Sequence, residues 1–103
     1  MNPEPFLQLD RVIHEKGRLG LMSLLAASPS LTFTELRDTL QMSDGNLTAH
    51  LRTLHESGYV SFTKSMETGR ATTSYALTKS GRAAFAAYID LLEAIVRQNK
   101  PRS

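Results

Sequence analysis

The sequence predicts a mainly α-helical domain with one small β-hairpin and a long last helix. Apolar residues recur at helical spacing up to Gly58, alternate with a period of two after it, and return to helical spacing after Thr78. The segment 36–60 also has the order of a helix-turn-helix: a short helix, a turn that ends at Ser43, a second helix and a glycine stop. These patterns together predict the fold class.

The chain of 103 residues is expected to form one domain, residues 1–103. Its ends, 1–5 and 100–103, are polar and contain proline, so we expect them to be flexible. Cysteine is absent, which excludes disulfides and thiolate metal sites. No apolar run approaches the ~20 residues of a membrane span. The first ten residues are too polar for a secretory signal, and we expect a cytoplasmic protein.

The first helical region covers residues 6–27. Gly17 and Gly20 weaken its middle, because each costs about 1 kcal/mol relative to alanine in a helix interior. We therefore expect two helical pieces that meet near residues 15–17. The apolar residues of the first piece are Leu9, Val12 and Ile13.

The next helix has two possible starts. Thr32 and Glu35 have the spacing of a capping box, in which each side chain accepts a hydrogen bond from the other residue's backbone. Alternatively Thr34 is the cap, and residues 31–33 form a short strand. In both cases the helix ends at about Leu40.

Ser43 is a suitable cap for the second helix, expected at about residues 44–57. Gly58 supplies the left-handed residue that commonly ends a helix. The residues expected on the core face are Leu47, Leu51 and Leu54.

The region after Gly58 contains two strand-like runs, 60–65 and 72–77, around a loop at 66–70. A hairpin is therefore expected, with its projecting part, the wing, at about residues 64–72. Thr78 is expected to cap a helix at 79–99. At 1.5 Å per residue this helix is roughly 30 Å long, as long as the domain itself.

The outer face of the second helix carries small and hydrogen-bonding side chains. Asn pairs well with adenine and Arg with guanine, and Thr and Ala methyl groups can meet the thymine methyl. Glu56, at the other end, would repel phosphate. The same face also fits the solvated side of an ordinary amphipathic helix. The candidate DNA-binding residues are Ser43, Asp44, Asn46, Thr48, Ala49, His50 and Arg52.

The hairpin adds Lys64 and Arg70 as candidate contacts to the DNA backbone. The alternative is a hairpin kept soluble by charge, as exposed sheet edges often are. The balance of Lys and Arg against Asp and Glu is four to five over residues 1–40, five to three over 41–82, and three to two over 83–103. The basic surplus thus lies on the candidate DNA-binding segment and the tail, but it is small.

No catalytic constellation, phosphate-binding glycine loop or cofactor motif is present. The three histidines, His14, His50 and His55, lack the converging spacing that a metal site needs. His50 lies beside the apolar stripe of the second helix and is predicted to be half-buried, within reach of a phosphate. We expect no enzyme, metal site or cofactor.

The last helix has an apolar stripe too long for so small a domain to cover. We expect the stripe, with the first segment, to form a homodimer, because a two-fold dimer sets two recognition helices one turn of duplex apart. The candidate dimer-interface residues are Leu9, Val12, Phe85, Tyr88, Leu91, Leu92, Ile95 and Val96.

Three segments resemble the small winged helix transcriptional regulators of bacteria and archaea, close to the MarR and ArsR types. They are IHEKGRLGLMSLL (Ile13–Leu25), FTELRDTLQMSDGNLTAHLRTLHESGYV (Phe33–Val60) and YALTKSGRAAFAAYIDLL (Tyr75–Leu92). Together they cover most of the chain in the same order. DGNLTAHL, ESGYV and LTKSGR in combination are typical of a minimal subfamily of about 100 residues.

The resemblance implies a winged helix fold, a homodimer and sequence-specific DNA binding. The leading hypothesis is therefore a dimeric repressor that binds double-stranded DNA at a palindromic operator. The cysteine ligands of metal-sensing ArsR proteins are missing, and so are the extra helices that complete a ligand pocket in larger MarR proteins. A small-molecule effector is therefore unknown. The alternative function is a winged helix protein-interaction module without DNA binding. The resemblance implies recognition-helix positions at Ser43, Asn46, Thr48, His50 and Arg52, and a wing position at Arg70.

Overall fold

The computed structural model describes residues 2–67 and 69–100, and confirms a mainly helical fold with a β-hairpin. The strands form one antiparallel sheet in the order β1-β3-β2. The elements are α1 (Glu4–Leu7), α2 (Lys16–Ala27), β1 (Leu31–Thr32), α3 (Phe33–Leu40), α4 (Asp44–Glu56), β2 (Val60–Glu67), β3 (Arg70–Leu77) and α5 (Lys79–Asn99).

The first helical piece is shorter than predicted. α1 is a single turn, and residues 8–15 form turns instead of a helix. The cause is Asp10, whose Oδ1 accepts the backbone N–H groups of Val12 at 2.8 Å and Ile13 at 3.3 Å. Such local bonds offer the backbone an alternative to helix. The predicted start of the second piece near residues 15–17 is confirmed, since Glu15 caps α2, but the two pieces do not meet there because α1 ends at Leu7.

The N-terminal segment is partly helical and contacts the end of α5. Glu4 and Pro5 belong to α1, and the backbone N–H of Asn2 donates to Oε1 of Gln98 at 2.9 Å. This bond joins α1 to the end of α5. Met1 and residues 101–103 lie outside the described residues.

The core is built around α2, which contacts α3, α4, α5 and β3. All three leucines predicted for the core face of α4 are buried, each 4 % exposed or less. Ile13 is fully buried although it precedes α2. The buried residues are Ile13, Leu21, Met22, Leu25, Leu36, Leu47, Leu51, Leu54, Val60, Leu77 and Tyr88.

The start of α3 combines the capping box with a shortened strand. Thr32 ends β1 and also caps α3: its Oγ1 accepts the N–H of Glu35 at 3.1 Å, and the Glu35 side chain accepts the N–H of Thr32 at 2.9 Å. The alternative cap at Thr34 is wrong. β1 is only two residues long and pairs Leu31 with Tyr75 of β3, so it anchors α3 to the hairpin.

The hairpin strands extend further towards the tip than predicted. The strands extend into the loop expected at 66–70, because Glu67 pairs with Arg70. Gly69 adopts φ +77°, which glycine reaches without strain. The predicted alternation is confirmed on one face, where Val60 pairs with Leu77 and Phe62 with Tyr75.

α5 has the predicted bounds, and Oγ1 of Thr78 caps it by accepting the N–H of Gly81 at 2.9 Å. One predicted interface residue on α5 is wrong. Tyr88 is 1 % exposed inside the protomer, and its hydroxyl is hydrogen-bonded to Nδ1 of His14 at 2.8 Å. Tyr88 is buried because it faces α2 and the chain before it, so it cannot offer contact area to a partner.

The junction of α4 and β2 is held by the main chain of Gly58 and Tyr59. The N–H of Gly58 donates to the backbone carbonyl of His55 at 2.9 Å, and the N–H of Tyr59 donates to the backbone carbonyl of Leu54 at 3.0 Å. This pair of bonds is the Schellman pattern. The carbonyl of Tyr59 then accepts the N–H of Thr78 at 3.0 Å. This short segment thus fixes the end of α4 against the start of α5.

Gly81 is required where α5 crosses this junction. A Cβ there would overlap the carbonyl oxygen of Tyr59 and lie 2.8 Å from its carbonyl carbon. Gly81→Ala is expected to lower the free energy of unfolding by about 3 kcal/mol, since a buried backbone must move. Gly45→Ala on α4, where nothing lies within 4 Å, is the control and should raise it by up to about 1 kcal/mol. Urea denaturation measures both, and equal effects would contradict the proposed contact.

The hydroxyl of Tyr59 donates to Oδ2 of Asp10 at 2.5 Å, and this hydrogen bond raises the pKa of Tyr59 to about 12. The neutral form is favoured in the folded state, so the stabilisation is complete below about pH 10. It is lost between about pH 10 and 12, because the unfolded chain ionises first. Ultraviolet titration of tyrosine, with Tyr59→Phe as reference, should show one late-ionising group that the variant lacks.

Candidate nucleic-acid interface

The turn between α3 and α4 sets where α4 begins. Gln41 ends α3 in the left-handed conformation, φ 54°, and the N–H of Met42 donates to the carbonyl of Arg37 at 3.1 Å. Two residues later Ser43 caps α4: its Oγ accepts the N–H of Asn46 at 3.1 Å. The Ser43 hydroxyl keeps its own hydrogen as a donor. The predicted turn and cap are therefore confirmed.

The outer face of α4 is exposed along its length, because the three core leucines fix the opposite face inward. Glu56 is also exposed, at the end away from Ser43. Eight of the nine predicted contact residues are exposed: Ser43, Asp44, Asn46, Thr48, Ala49, Arg52, Lys64 and Arg70.

His50 is the exception. Its side chain is 22 % exposed and is directed towards α2, with Nδ1 3.3 Å from Nη1 of Arg18 and 3.7 Å from Oε1 of Glu15. Its ring covers Gly17, where a Cβ would lie 2.7 Å from Nε2. The predicted half-burial is confirmed, but these contacts tie α4 to α2 within the protein.

His50 lies in a cluster with one cation, Arg18, and one carboxylate, Glu15. Nε of Arg18 donates to the carbonyl of Val12 at 2.6 Å. The backbone N–H of Arg18 donates to the Glu15 carboxylate at 2.8 Å and lowers the pKa of Glu15, and the charge of Arg18 acts in the same direction. The Glu15 carboxylate therefore lies ionised beside the His50 ring.

Asp44 is a negative charge near the start of the exposed face, but it has a partner that sequence reasoning missed. Nη1 of Arg37 lies 3.1 Å from Oδ1 of Asp44, and Nε lies 3.0 Å from Asp38. The hydrogen bonds to Asp38 and Asp44 raise the pKa of Arg37. Arg37 thus offsets much of the repulsion that Asp44 alone would exert on an anion.

Lys16 is a second residue that sequence reasoning missed. It begins α2, is exposed, and lines a cleft of about 320 Å³ together with Ser43, Asn46 and His50. The junction of α2 and α4 therefore brings a cation next to the first residues of the exposed α4 face. No local sequence signal places Lys16 in this cleft, since it lies 27 positions before Ser43 in the chain.

The two hairpin cations lie on opposite faces. Lys64 pairs with Thr73 and shares its face with Phe62, whereas Arg70 pairs with Glu67 one position out of phase. Arg70 instead lines an open cleft of about 510 Å³ with a group of hydroxyl-bearing residues. These are Thr32, Thr34, Thr72 and Thr73.

A cleft of about 220 Å³ separates α4 from the sheet, lined by Thr48, Leu51, Arg52, His55, Phe62 and Tyr75. The Nδ1–H of His55 donates to the carbonyl of Val60 at 3.0 Å, which fixes its ring. The Phe62 ring lies 5.1 Å from that of His55 and 6.2 Å from that of Tyr75. Phe62 nevertheless remains 47 % exposed, and sequence reasoning missed it as a surface residue.

Within residues 2–67 and 69–100, no cluster of three or more His, Asp or Glu side chains could hold a metal ion. None of the helices in this described part combines the length and hydropathy of a membrane span.

Comparison with known proteins matches residues 18–96 to the family described as winged helix DNA-binding domain. An uncharacterised protein of Methanocaldococcus jannaschii is 35 % identical over 79 residues, which are 77 % of this chain and 86 % of that protein.

Solved structures share the fold. A transcriptional regulator homologue from Pyrococcus horikoshii superposes with a TM-score of 0.88 at 23 % identity, covering 98 % of this chain and 100 % of the other. A transcriptional regulator assigned to the MarR family from Enterococcus faecalis gives a TM-score of 0.73 at 26 % identity, covering 84 % and 81 %.

Proposed function

The chain belongs to the winged helix DNA-binding domain family and has the fold of MarR-type regulators, and from this we propose a dimeric, sequence-specific transcriptional regulator of double-stranded DNA. One observation carries the proposal. α4 buries its leucine stripe and exposes a continuous row of small and hydrogen-bonding side chains beside a projecting hairpin. Such a helix can enter a major groove about 12 Å wide.

Base recognition is assigned to the exposed residues of α4. Asn46 can pair with adenine and Arg52 with guanine, each by two hydrogen bonds, while Thr48 and Ala49 can contact a thymine methyl group. Their small neighbours let the helix approach the base edges closely. Contact is strongest towards Ser43, since Glu56 would repel phosphate at the other end.

Backbone contacts come from both sides of α4. Lys16 and the Ser43 hydroxyl lie at the junction with α2, and Lys64 and Arg70 lie on the hairpin. Asp44 is the first residue of α4, and its negative charge is offset by the Arg37 guanidinium at 3.1 Å. Phosphate contacts set the register of the helix on the duplex and carry no base information.

We further propose that α5 and the first segment form the homodimer. The molecule measures 57 × 24 × 22 Å, and the 21 residues of α5 are about 30 Å long at 1.5 Å per residue. Val96 is 50 % exposed, and α1 exposes Phe6 and Leu7 at 55 and 73 %. Leu9 and Val12 are half-buried at the edge of this surface. The proposed interface, without Tyr88, is Leu9, Val12, Phe85, Leu91, Leu92, Ile95 and Val96.

A two-fold dimer places two α4 helices about 34 Å apart, which requires a palindromic operator. A dimer that covers such a site blocks access to a promoter, so we propose repression as the outcome. The same role requires a protein in the compartment that holds the DNA, the cytoplasm of a bacterium or archaeon.

Two arginine variants separate base reading from backbone binding. Arg52→Ala is expected to weaken operator binding by about 1–3 kcal/mol and to relax preference at one base pair. Arg70→Ala should weaken all sequences alike and reduce the salt slope by about 1. Fluorescence anisotropy against operator and scrambled duplexes measures both. Arg97→Ala, which removes a charge at the far end of α5, is the control. Unchanged discrimination by Arg52→Ala would contradict base reading by α4.

Site selection from a random duplex library is expected to yield a palindromic consensus. Light scattering of the protein alone should give twice the mass of one chain. Val96→Glu is expected to shift the protein towards the monomer, because a charge is buried in the proposed interface. No enrichment and a monomeric mass would instead favour a protein-interaction module.

A further inference from the structure

The two faces of the hairpin differ chemically. Along β2 one face carries Val60, Phe62, Lys64 and Met66, and the other carries Ser61, Thr63 and Ser65. On β3 the residues opposite the first set are Leu77, Tyr75, Thr73 and Ala71. The first face therefore runs from the core through an aromatic ring and a cation to an apolar side chain near the tip, and the second is small and hydroxyl-rich. We call the first the mixed face.

The mixed face exposes two large apolar side chains. Met66 is 73 % exposed and Phe62 is 47 % exposed. Single exposed apolar residues are common and need no explanation. These two, however, lie on one face, about 13 Å apart along the strand at 3.3 Å per residue, with Lys64 between them.

Phe62 is held in position by its neighbours. The centre of its ring lies 5.1 Å from that of His55 and 6.2 Å from that of Tyr75, and the hydrogen bond from His55 to the Val60 carbonyl holds the His55 ring in place. The exposed part of the ring is therefore preorganised. Little rotamer entropy is lost when such a side chain is covered.

Phe62 also shares a cleft with two residues of the proposed base-reading face. Thr48 and Arg52 line one wall, and Phe62 lines the other. A duplex strand that contacts Thr48 and Arg52 would therefore lie beside the cleft that Phe62 also lines. The mixed face, and not the hydroxyl face, continues from there towards the tip.

We propose that the mixed face makes the apolar contacts of the hairpin to DNA, with Phe62 packed on a deoxyribose at the mouth of the cleft and Met66 inserted against the sugar walls of the adjacent minor groove. Arg70, on the opposite face, contacts only backbone phosphate. This inference rests on the proposed DNA-binding function. Methionine is among the apolar side chains that proteins insert into minor grooves. Lys64 binds the phosphate between the two apolar contacts.

The inference explains how a chain with a net charge of only +2 can hold DNA. Phosphate contacts release counterions and make affinity fall with salt. Apolar contacts to deoxyribose release none. Phe62 and Met66 therefore contribute affinity that salt does not screen, whereas Lys64 contributes affinity that it does.

The test measures affinity for a short duplex carrying the selected site between about 50 and 200 mM salt, the range over which phosphate contacts weaken. Met66→Ala is expected to weaken binding about three- to tenfold at every salt concentration with no change in slope, as for an apolar side chain partly buried on binding. Lys64→Ala should lower the slope by about 0.9. Ser65→Ala, on the opposite face beside Met66, is the matched control and should change neither.

The outcomes separate this inference from the proposed function. Wild-type protein that binds no duplex overturns both. Wild-type binding with Met66→Ala unaffected, or with Ser65→Ala equally impaired, overturns the mixed face alone. A changed slope in Met66→Ala overturns it too, because an apolar contact cannot release counterions. Met66 is exposed, so its variant should fold; Phe62→Leu, checked by thermal unfolding, extends the test to the half-buried ring.

Discussion

The main chain at Gly58 and Tyr59 is the constraint on which the rest of the structure depends. Gly58 has φ +80°, which lets α4 end and the chain reverse into β2. The Tyr59 carbonyl accepts the N–H of Thr78, and the hydroxyl of Thr78 donates back to the Gly58 carbonyl at 2.6 Å. Gly81 packs against the same carbonyl group of Tyr59. The end of α4, the base of the hairpin and the start of α5 therefore meet in one hydrogen-bond network.

This hydrogen-bond network has a functional consequence, because it fixes the position of the exposed face of α4 relative to the hairpin and the last helix. The Tyr59 side chain adds the segment before α2 through Asp10, and the middle of α4 contacts α2 through His50. α4 is thus fixed at its C-terminal end and at its middle. A helix that must reach base edges with side chains of limited length gains from such rigid placement.

Two arginines near the candidate interface are paired with close neighbours. Arg37 is engaged by Asp38 and Asp44, and Arg18 is engaged by the Val12 carbonyl and His50, so neither adds freely to a basic surface. Lys64 and Arg70, the two cations of the hairpin, lie on opposite faces. A weakly basic chain of this kind suits a binding mode that combines a few phosphate contacts with apolar and hydrogen-bonding ones, and it avoids the strong non-specific binding of a highly charged surface.

By itself the sequence determined the elements whose signals are local. The caps at Ser43 and Thr78, the stop at Gly58, the core leucines of α4 and the extent of α5 depend on residues within one or two turns of one another. The exposed face of α4 followed directly from that leucine stripe, because burial of one side of a helix defines the other. Family resemblance added the order of the elements.

Only the tertiary structure decided what depends on residues far apart in the chain. Tyr88 fits the same apolar stripe as its neighbours, and only the packing of α5 on α2 buries it. His50 lies on the same helix as Arg52, but Arg18 and Glu15 turn it inward. Lys16 and Phe62 join the interface by contacts across the fold. A periodic pattern specifies which way a side chain leaves its own helix or strand, and the position of neighbouring elements specifies what it meets there.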